Sequence, residues 1–354
     1  MGSVTGEFPY FQSEAPLHPA AKAFLSEAFD RGWSDPTKPH FESRRAAILL
    51  NEAKETFAAH LGVRPDQVEF LSSPSSGFHL GIAGFALPGS TLYYPATARS
   101  EVFAVGDHLL GQKLSVDLAG QVHWPRGQTD DLLCWQSGNG ETGVISTPPI
   151  DFIGRVFVDA TASAGLLPLP SRWHGALWDS RSWQGPAGLG IFAISEKSLW
   201  RNPLPHLDQK ITSPDFSLPL ALASAIALDA FSAEYEVKRK SLIEFNERIR
   251  AFLLTEIGQV DIAGSLLNTL PHLLSFSILY IDAAILMSEL DRRGFSVDSG
   301  SACNATNMEP SHVLAAMGLL TQGNIRLTLH PQIERAGVEQ FLATLKDLVV
   351  ELRS

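Results

Sequence analysis

Two observations predict an α/β fold. Short apolar runs of strand length alternate with longer runs of helical periodicity, and the polar residues with chemical reach (residues 72–76, Asn139 and Asp159) fall just after apolar runs. Alternation of this kind builds a mostly parallel sheet with helices on its faces. Ligands of such sheets sit beyond the carboxyl ends of the strands. The 354 residues suffice for one large domain or two of ordinary size with a sizeable core.

Taken in order, residues 17–31 and 41–60 read as helices. In the second, Leu49, Leu50, Ala53, Phe57 and Leu61 recur at helical spacing. The intervening Ser-Asp-Pro-Thr-Lys-Pro of residues 34–39 is turn chemistry. Strands are expected over 67–71, 91–95, 114–118, 132–135, 155–159 and 188–194, and a loop over 195–217, where Pro203, Pro205 and Pro214 stand among polar residues. A long helix over 218–257 follows. The remainder reads as a smaller α+β unit, with strands at 273–280 and 325–329 and helices near 283–293, 311–319 and 335–352. The large domain is assigned to residues 17–240, and the small one to 241–354 together with 1–16.

Composition excludes several classes. Hydrophobic residues make up 45% and charged residues 18%, which argues against disorder. The net charge of -11 disfavours nucleic acid and anionic membranes, since both reward a basic face. Two cysteines, Cys134 and Cys303, rule out a disulfide framework and a four-thiolate zinc site. His206 and His312 lack ligand spacing to a second Cys or His, and no G-x-S-x-G elbow occurs. The first residues carry no basic segment followed by an apolar core. Uninterrupted apolar runs fall short of the roughly 18 residues of a membrane span, the richest being cut by Ser224 and Asp229. A cytoplasmic globular protein is the resulting expectation.

The most informative segment is Val-Asp-Ser-Gly-Ser-Ala-Cys-Asn, residues 297–304, followed by Glu309-Pro310-Ser311-His312. A cysteine in a Gly/Ser loop just before a helix start is the setting of a reactive thiol rather than a packed one. Other candidates are equivocal alone. A strand-end Asp such as Asp159 also caps turns, and serines such as Ser75 and Ser76 before a helix serve as caps. An Asn-Gly at Asn139 is often a turn. An Arg in a strand, such as Arg326, is often half of a surface ion pair.

The cysteine loop resembles the active-cysteine loop of NifS/IscS-type cysteine desulfurases, members of the class V aminotransferase family. The resemblance covers almost the whole chain. Residues 34–40 resemble the family's Asn-Pro-Ser-Ser-x-His turn, and residues 67–82 its strand, phosphate loop and helix. Asn139-Gly140-Glu141-Thr142-Gly143 resembles Asn-Asn-Glu-Thr-Gly, and residues 156–165 the strand that ends in Asp-Ala-Ala-Gln. Residues 185–190 resemble Gly-Pro-Lys-Gly-x-Gly, and residues 324–327 the arginine strand.

The resemblance implies the fold type I of pyridoxal phosphate (PLP) enzymes: a mostly parallel seven-stranded sheet with helices on both faces, a smaller α+β domain, and a homodimer. It implies Cys303 as persulfide acceptor and Arg326, with Asn139, for the substrate carboxylate side. It implies Ser75, Ser76, Arg99, Asn139, Asp159 and Arg181 around PLP, with Asp159 holding the pyridine nitrogen protonated so that the ring acts as an electron sink. A sulfur-acceptor protein or an active homologue is the implied partner.

Departures from the family pattern cluster at the cofactor. Ser182 stands at the place of the lysine that holds PLP as an imine, and a hydroxyl cannot form an imine or carry the ammonium's proton. No lysine lies between Lys113 and Lys197. Lys197 and Lys210, in the following loop, are the candidates to replace it. Arg99 stands for the ring-stacking histidine, Ala162 for the glutamine at the ring hydroxyl, Asp179 for a serine near the phosphate, and Asp215 for a threonine from the partner. The leading reading is a desulfurase-like protein that binds PLP and handles an amino acid such as L-cysteine. The alternative is a lysine-less homologue serving as a noncatalytic subunit or a sulfur carrier.

Overall fold

A computed structural model describes residues 9–205, 216–300 and 310–353. The large sheet holds β1 (Val68–Leu71), β2 (Leu92–Pro95), β3 (Gln112–Leu114), β4 (Leu132–Gln136), β5 (Arg155–Asp159), β6 (Gly175–Asp179) and β7 (Gly190–Ile194), in the order β1-β7-β6-β5-β4-β2-β3. The ladder β3-β2-β4-β5-β6 is parallel, while β7 is antiparallel to both β6 and β1. A mixed, mostly parallel seven-stranded sheet is thus present.

Within this sheet, β6 and β3 depart most from the sequence expectation. β6, Gly-Ala-Leu-Trp-Asp, has no β-branched residue and only five positions, so strand propensity is weak. Burial on both faces makes it a strand: all five residues are buried between β5 and β7. β3 starts two residues earlier than expected and stops at Leu114, because its pairing with β2 ends at Pro95↔Leu114. Beyond it Val116 turns to bridge Val122 instead.

Side chains alternate across the sheet, as the pleat dictates. Val156, Val158, Ala176, Trp178, Ile191 and Ala193 join one core with Phe57, Ala221 and Leu228. Those partners come from α2 (Phe41–Leu61) and α5 (Leu218–Phe252), which with α1 (Pro19–Arg31) cover this face. Phe157, Leu177, Phe192 and Ile194 join the opposite core with Phe78, Ile82 and Val102, from α3 (Pro74–Phe85) and α4 (Ser100–His108). Helix α3 lies unusually close: a Cβ at Gly77 or Gly81 would stand 2.5 Å from Leu177 or 2.3 Å from Phe157.

The second sheet is antiparallel, β8 (Val260–Ile262), β9 (Leu273–Ile278) and β10 (Asn324–Thr328) in the order β10-β9-β8. It is covered by α6 (Ala283–Arg292) and α8 (Arg335–Arg353), with the short α7 (His312–Ala316) beside it. Helix α5 runs unbroken through residue 240 and ends in a π turn, Leu253–Ile257. By composition Leu218–Ile257 holds an 18-residue window apolar enough to cross a membrane, although no uninterrupted apolar run marked it. However, 61% of that window is buried inside the protein, the pattern of a core helix. Ser224, which interrupts the run in sequence, is fully buried and bonded to Ser180 Oγ (2.7 Å) and Trp183 Nε1 (3.1 Å).

Candidate active site

Strands β4, β5 and β6 run parallel and end at one edge, so their last residues, Gln136, Asp159 and Asp179, meet there; the register pairs Gln136 with Asp159. Asp159 is 1% exposed. One carboxylate oxygen accepts from Thr161 N (3.0 Å) and Thr161 Oγ1 (2.6 Å), the other from Gln136 Nε2 (3.2 Å). Among the described residues, none of these donors is cationic. Burial pushes the Asp159 carboxyl above its usual range, against the opposing pull of Arg99 and of these hydrogen bonds.

Asn139 sits beside it and is fully engaged. Its two amide hydrogens go to Thr97 O (3.0 Å) and Gln136 Oε1 (2.9 Å). Its oxygen accepts from Glu141 N, Thr142 N and Thr142 Oγ1 at 2.9–3.1 Å. An amide has two N–H donors, so this geometry spends both on the protein and makes Asn139 the organiser of the Gly140–Gly143 turn. Gln136, which bridges Asn139 and Asp159, was missed in the sequence. The available signal was a polar residue closing an apolar run, the same one that marked Asp159.

Arg99 precedes α4. Its guanidinium lies 5.7 Å from the Phe78 ring centroid and donates to Thr161 Oγ1 at 3.3 Å. Its Nε is buried without a hydrogen bond, 3.7 Å from Glu101 Oε2.

At the start of α3 the serines behave as caps. Ser73 Oγ accepts from Ser76 N (3.1 Å) and shares a hydrogen bond with Ser76 Oγ (2.8 Å). Ser75 Oγ donates to Glu101 Oε1 (2.9 Å), and Ser100 Oγ to Glu101 Oε2 (3.2 Å). Asp179 belongs to the same corner: its register partner Gly190 packs so closely on the α3 start that a Cβ there would stand 3.1 Å from Ser73 O. Asp179 holds Arg181 through the backbone N (2.9 Å), Nε (3.2 Å) and Nη2 (2.8 Å). The Ser182 hydroxyl turns back to Asp179 O at 2.7 Å.

On the small-sheet side, Arg326 Nη2 donates to Asp298 Oδ2 at 2.9 Å, and its Nε is buried with no hydrogen bond. Cys303 and Asp215 lie outside the described residues. The residues flanking the cysteine segment are well tied. Gly300 N donates to Asn324 Oδ1 (2.8 Å), and Ser311 Oγ donates to Glu141. His312 Nε2 bonds Ala98 O at 2.9 Å, next to Arg99. Burial raises the Glu141 carboxyl above its usual range, with Ser311, Arg326 and His312 pulling the other way.

Neither neighbouring described lysine replaces Ser182. β7 runs antiparallel to β6 and pairs Ile194 with Gly175, so Lys197 follows the sheet edge opposite Asp159, where its Nζ meets Glu69 at 3.0 Å. Lys113 is on edge strand β3, its Nζ 5.0 Å from the Phe103 ring centroid. Three inter-strand spacings of about 4.8 Å put β3 roughly 14 Å from β5. Lys210 lies outside the described residues. The side chains at this edge therefore match PLP only in parts. The ring-nitrogen end fits, because Asp159 is a buried carboxylate bonded only by neutral donors. The carboxylate end fits too, with an unbonded guanidinium Nε on Arg326. The imine end does not fit, and the phosphate end holds two carboxylates, Glu101 and Asp179. The residues do not fit PLP held as a lysine imine.

No family model matches the chain. The cysteine desulfurase IscS of Dictyoglomus turgidum is 26% identical over 376 residues, covering 96% of this chain and 92% of that protein. A cysteine desulfurase of a Nostoc species is 25% identical, covering 91% and 87%. A solved NifS-like protein superimposes with a TM-score of 0.84 at 20% identity, over 97% of this chain and 99% of that one. These relatives are cysteine desulfurases, and the fold of this chain is that of a NifS-like protein.

Proposed function

We propose that this chain is a cysteine-desulfurase-like protein whose site binds an amino acid such as L-cysteine beside a noncovalently held PLP. The observation that carries the reading is Arg326: a guanidinium only 17% exposed, bonded to Asp298 through one N–H, with its Nε buried and unbonded. A buried guanidinium with donors in hand is suited to a carboxylate, because charge-assisted bonds there are strong and directional. Asp159 faces the ring nitrogen in this reading, and Arg99, Asn139, Ser75, Ser76 and Arg181 surround the cofactor. Cys303 is assigned as the persulfide acceptor. PLP, when bound, supplies an electron sink. Ser182 cannot hold it or move its proton, so missing proton transfer costs about 10²–10⁴-fold in rate. A homodimer and a sulfur-acceptor protein, in the cytoplasm, complete the proposal.

The test is an absorption titration with PLP followed by L-cysteine. The expected result is a bound-cofactor band that shifts on adding cysteine. A spectrum identical to free PLP plus cysteine would sink the reading and leave the noncatalytic-subunit or sulfur-carrier role. For Cys303, incubation with an active desulfurase and cysteine should add a reducible mass to the wild type and none to Cys303→Ser.

A further inference from the structure

The corner at the start of α3 is where this edge departs furthest from an anion site. A helix N-terminus ordinarily offers free N–H groups and hydroxyls to a phosphate. Here Ser76 N is taken by Ser73 Oγ, and the hydroxyls of Ser73 and Ser76 bond each other. The Ser75 hydroxyl is given to Glu101, which also takes Ser100. The cation best placed to help, Arg181, is clamped by Asp179 through Nε and Nη2, with Glu14 3.7 Å from its Nη1. Arg99 likewise lies beside Glu101. Two guanidinium groups thus face three carboxylates, Asp179, Glu14 and Glu101, and among the described residues no surplus positive charge remains here for a dianion. Against the cost of burial, Arg99, a backbone N–H and the two serine hydroxyls together hold the Glu101 carboxyl below its usual range, so it is charged at neutral pH.

We infer that Glu101 and Asp179 set this corner against phosphate, so that the ring ligand gains no affinity from a 5′-phosphate and the unphosphorylated amine binds at least as well. The inference rests on the reading that a pyridine ring is bound beside Asp159. It names Glu101 and Asp179 as determinants of ligand specificity in that site. Displacing either carboxylate costs its hydrogen bonds, and leaving both in place opposes a second anion by like-charge repulsion.

Pyridoxamine and pyridoxamine 5′-phosphate are the probes, because neither carries an aldehyde that could form imines with surface lysines. Their binding to the full chain is measured by fluorescence titration in the wild type, Glu101→Gln and Asp179→Asn. In Glu101→Gln the new amide keeps an oxygen for Ser75, whereas Asp179→Asn releases Arg181, so each variant removes one carboxylate and either one folding suffices. In the wild type the two probes should bind within about twofold of each other, or pyridoxamine more tightly. Either variant should tighten the phosphate form relative to pyridoxamine by about tenfold, ~1.4 kcal/mol. Tenfold preference for the phosphate form in the wild type overturns the inference while sparing the proposed function. The inference is equally overturned if neither variant that folds improves phosphate binding. Binding of neither probe overturns both.

Discussion

Two corners of one sheet edge, barely a strand apart, have opposite characters. Around Asp159 a buried carboxylate is met only by neutral donors, from Gln136 and Thr161. Around the start of α3, the candidate anion ligands are already committed to a carboxylate or to another serine. The difference teaches that a fold's binding edge is not kept or lost as a unit. The Asp159 corner is built from strand ends that also hold the sheet together, so its polar groups must stay paired whatever the ligand. The corner at α3 is built from the starts of two helices, α3 and α4, and the end of β6, and there Glu101 takes the serine hydroxyls that an external anion would otherwise meet.

The sharpest way to break this comparison is to remove the structural duty of Asp159. Asp159→Ala leaves Gln136 Nε2 and Thr161 Oγ1 buried without their acceptor, and should cost about 2–4 kcal/mol in denaturant unfolding. It should abolish ring binding as well. Wild-type-like stability would mean that the corner is not structurally coupled. Next in size, Arg326→Ala should weaken the cysteine-dependent spectral change by roughly 10–100-fold, as loss of charge-assisted hydrogen bonds of about 1.5–3 kcal/mol implies. Arg326→Lys should recover only part of it, since an ammonium lacks the planar fork. An unchanged response to cysteine in the alanine variant would remove Arg326 from the site.

Restoring the lysine sharpens the contrast. Ser182→Lys alone should give little borohydride-trappable imine with PLP, and Ser182→Lys combined with Glu101→Gln should give clearly more, read by mass after reduction. Full trapping in the single variant would show that the corner at α3 is no obstacle.

The smallest effect concerns pH. His174 lies at the far edge of the sheet, its Nδ1 accepting from Val156 N at 2.9 Å. Burial, with Arg172 and Arg155 nearby, lowers its pKa to about 4. In this case the unfolded chain binds the proton first, so stability is full above the unfolded value of about 6.5 and is lost as pH falls from there towards 4. Asp159 and Glu141, whose carboxyls are raised, act with the opposite sign, favouring the folded state as the medium turns more acid. The His174 contribution is isolated by difference: His174→Gln should lose less melting temperature between pH 7 and pH 5 than the wild type. Equal losses would contradict it.

How much of this was legible before folding is clearest residue by residue. The helices at 41–61 and 335–353 and the strand ending in Asp159 followed from apolar periodicity, because each buries one face or both against neighbours that only need to be apolar. β6 was not legible. Gly-Ala-Leu-Trp-Asp has only weak strand propensity of its own, and burial between two neighbours decides its state. Ser224 read as an interruption of an apolar run, yet it is a buried anchor for Ser180 and Trp183, a role that exists only once α5 packs on the turn carrying Ser182.

The sequence by itself determined the order of elements, the absence of lysine at position 182, and the motifs that align this chain with the cysteine desulfurases. These are local or linear properties: periodicity, spacing and residue identity survive without a fold. Only the tertiary structure decided that Lys197 lies at the wrong edge, that Asn139 spends both amide hydrogens on Thr97 and Gln136, and that Glu101 closes over Ser75. Hydrogen bonds join groups by distance rather than by position in the chain. The Glu101 carboxylate is 26 residues from Ser75 in sequence and one hydrogen bond away in space.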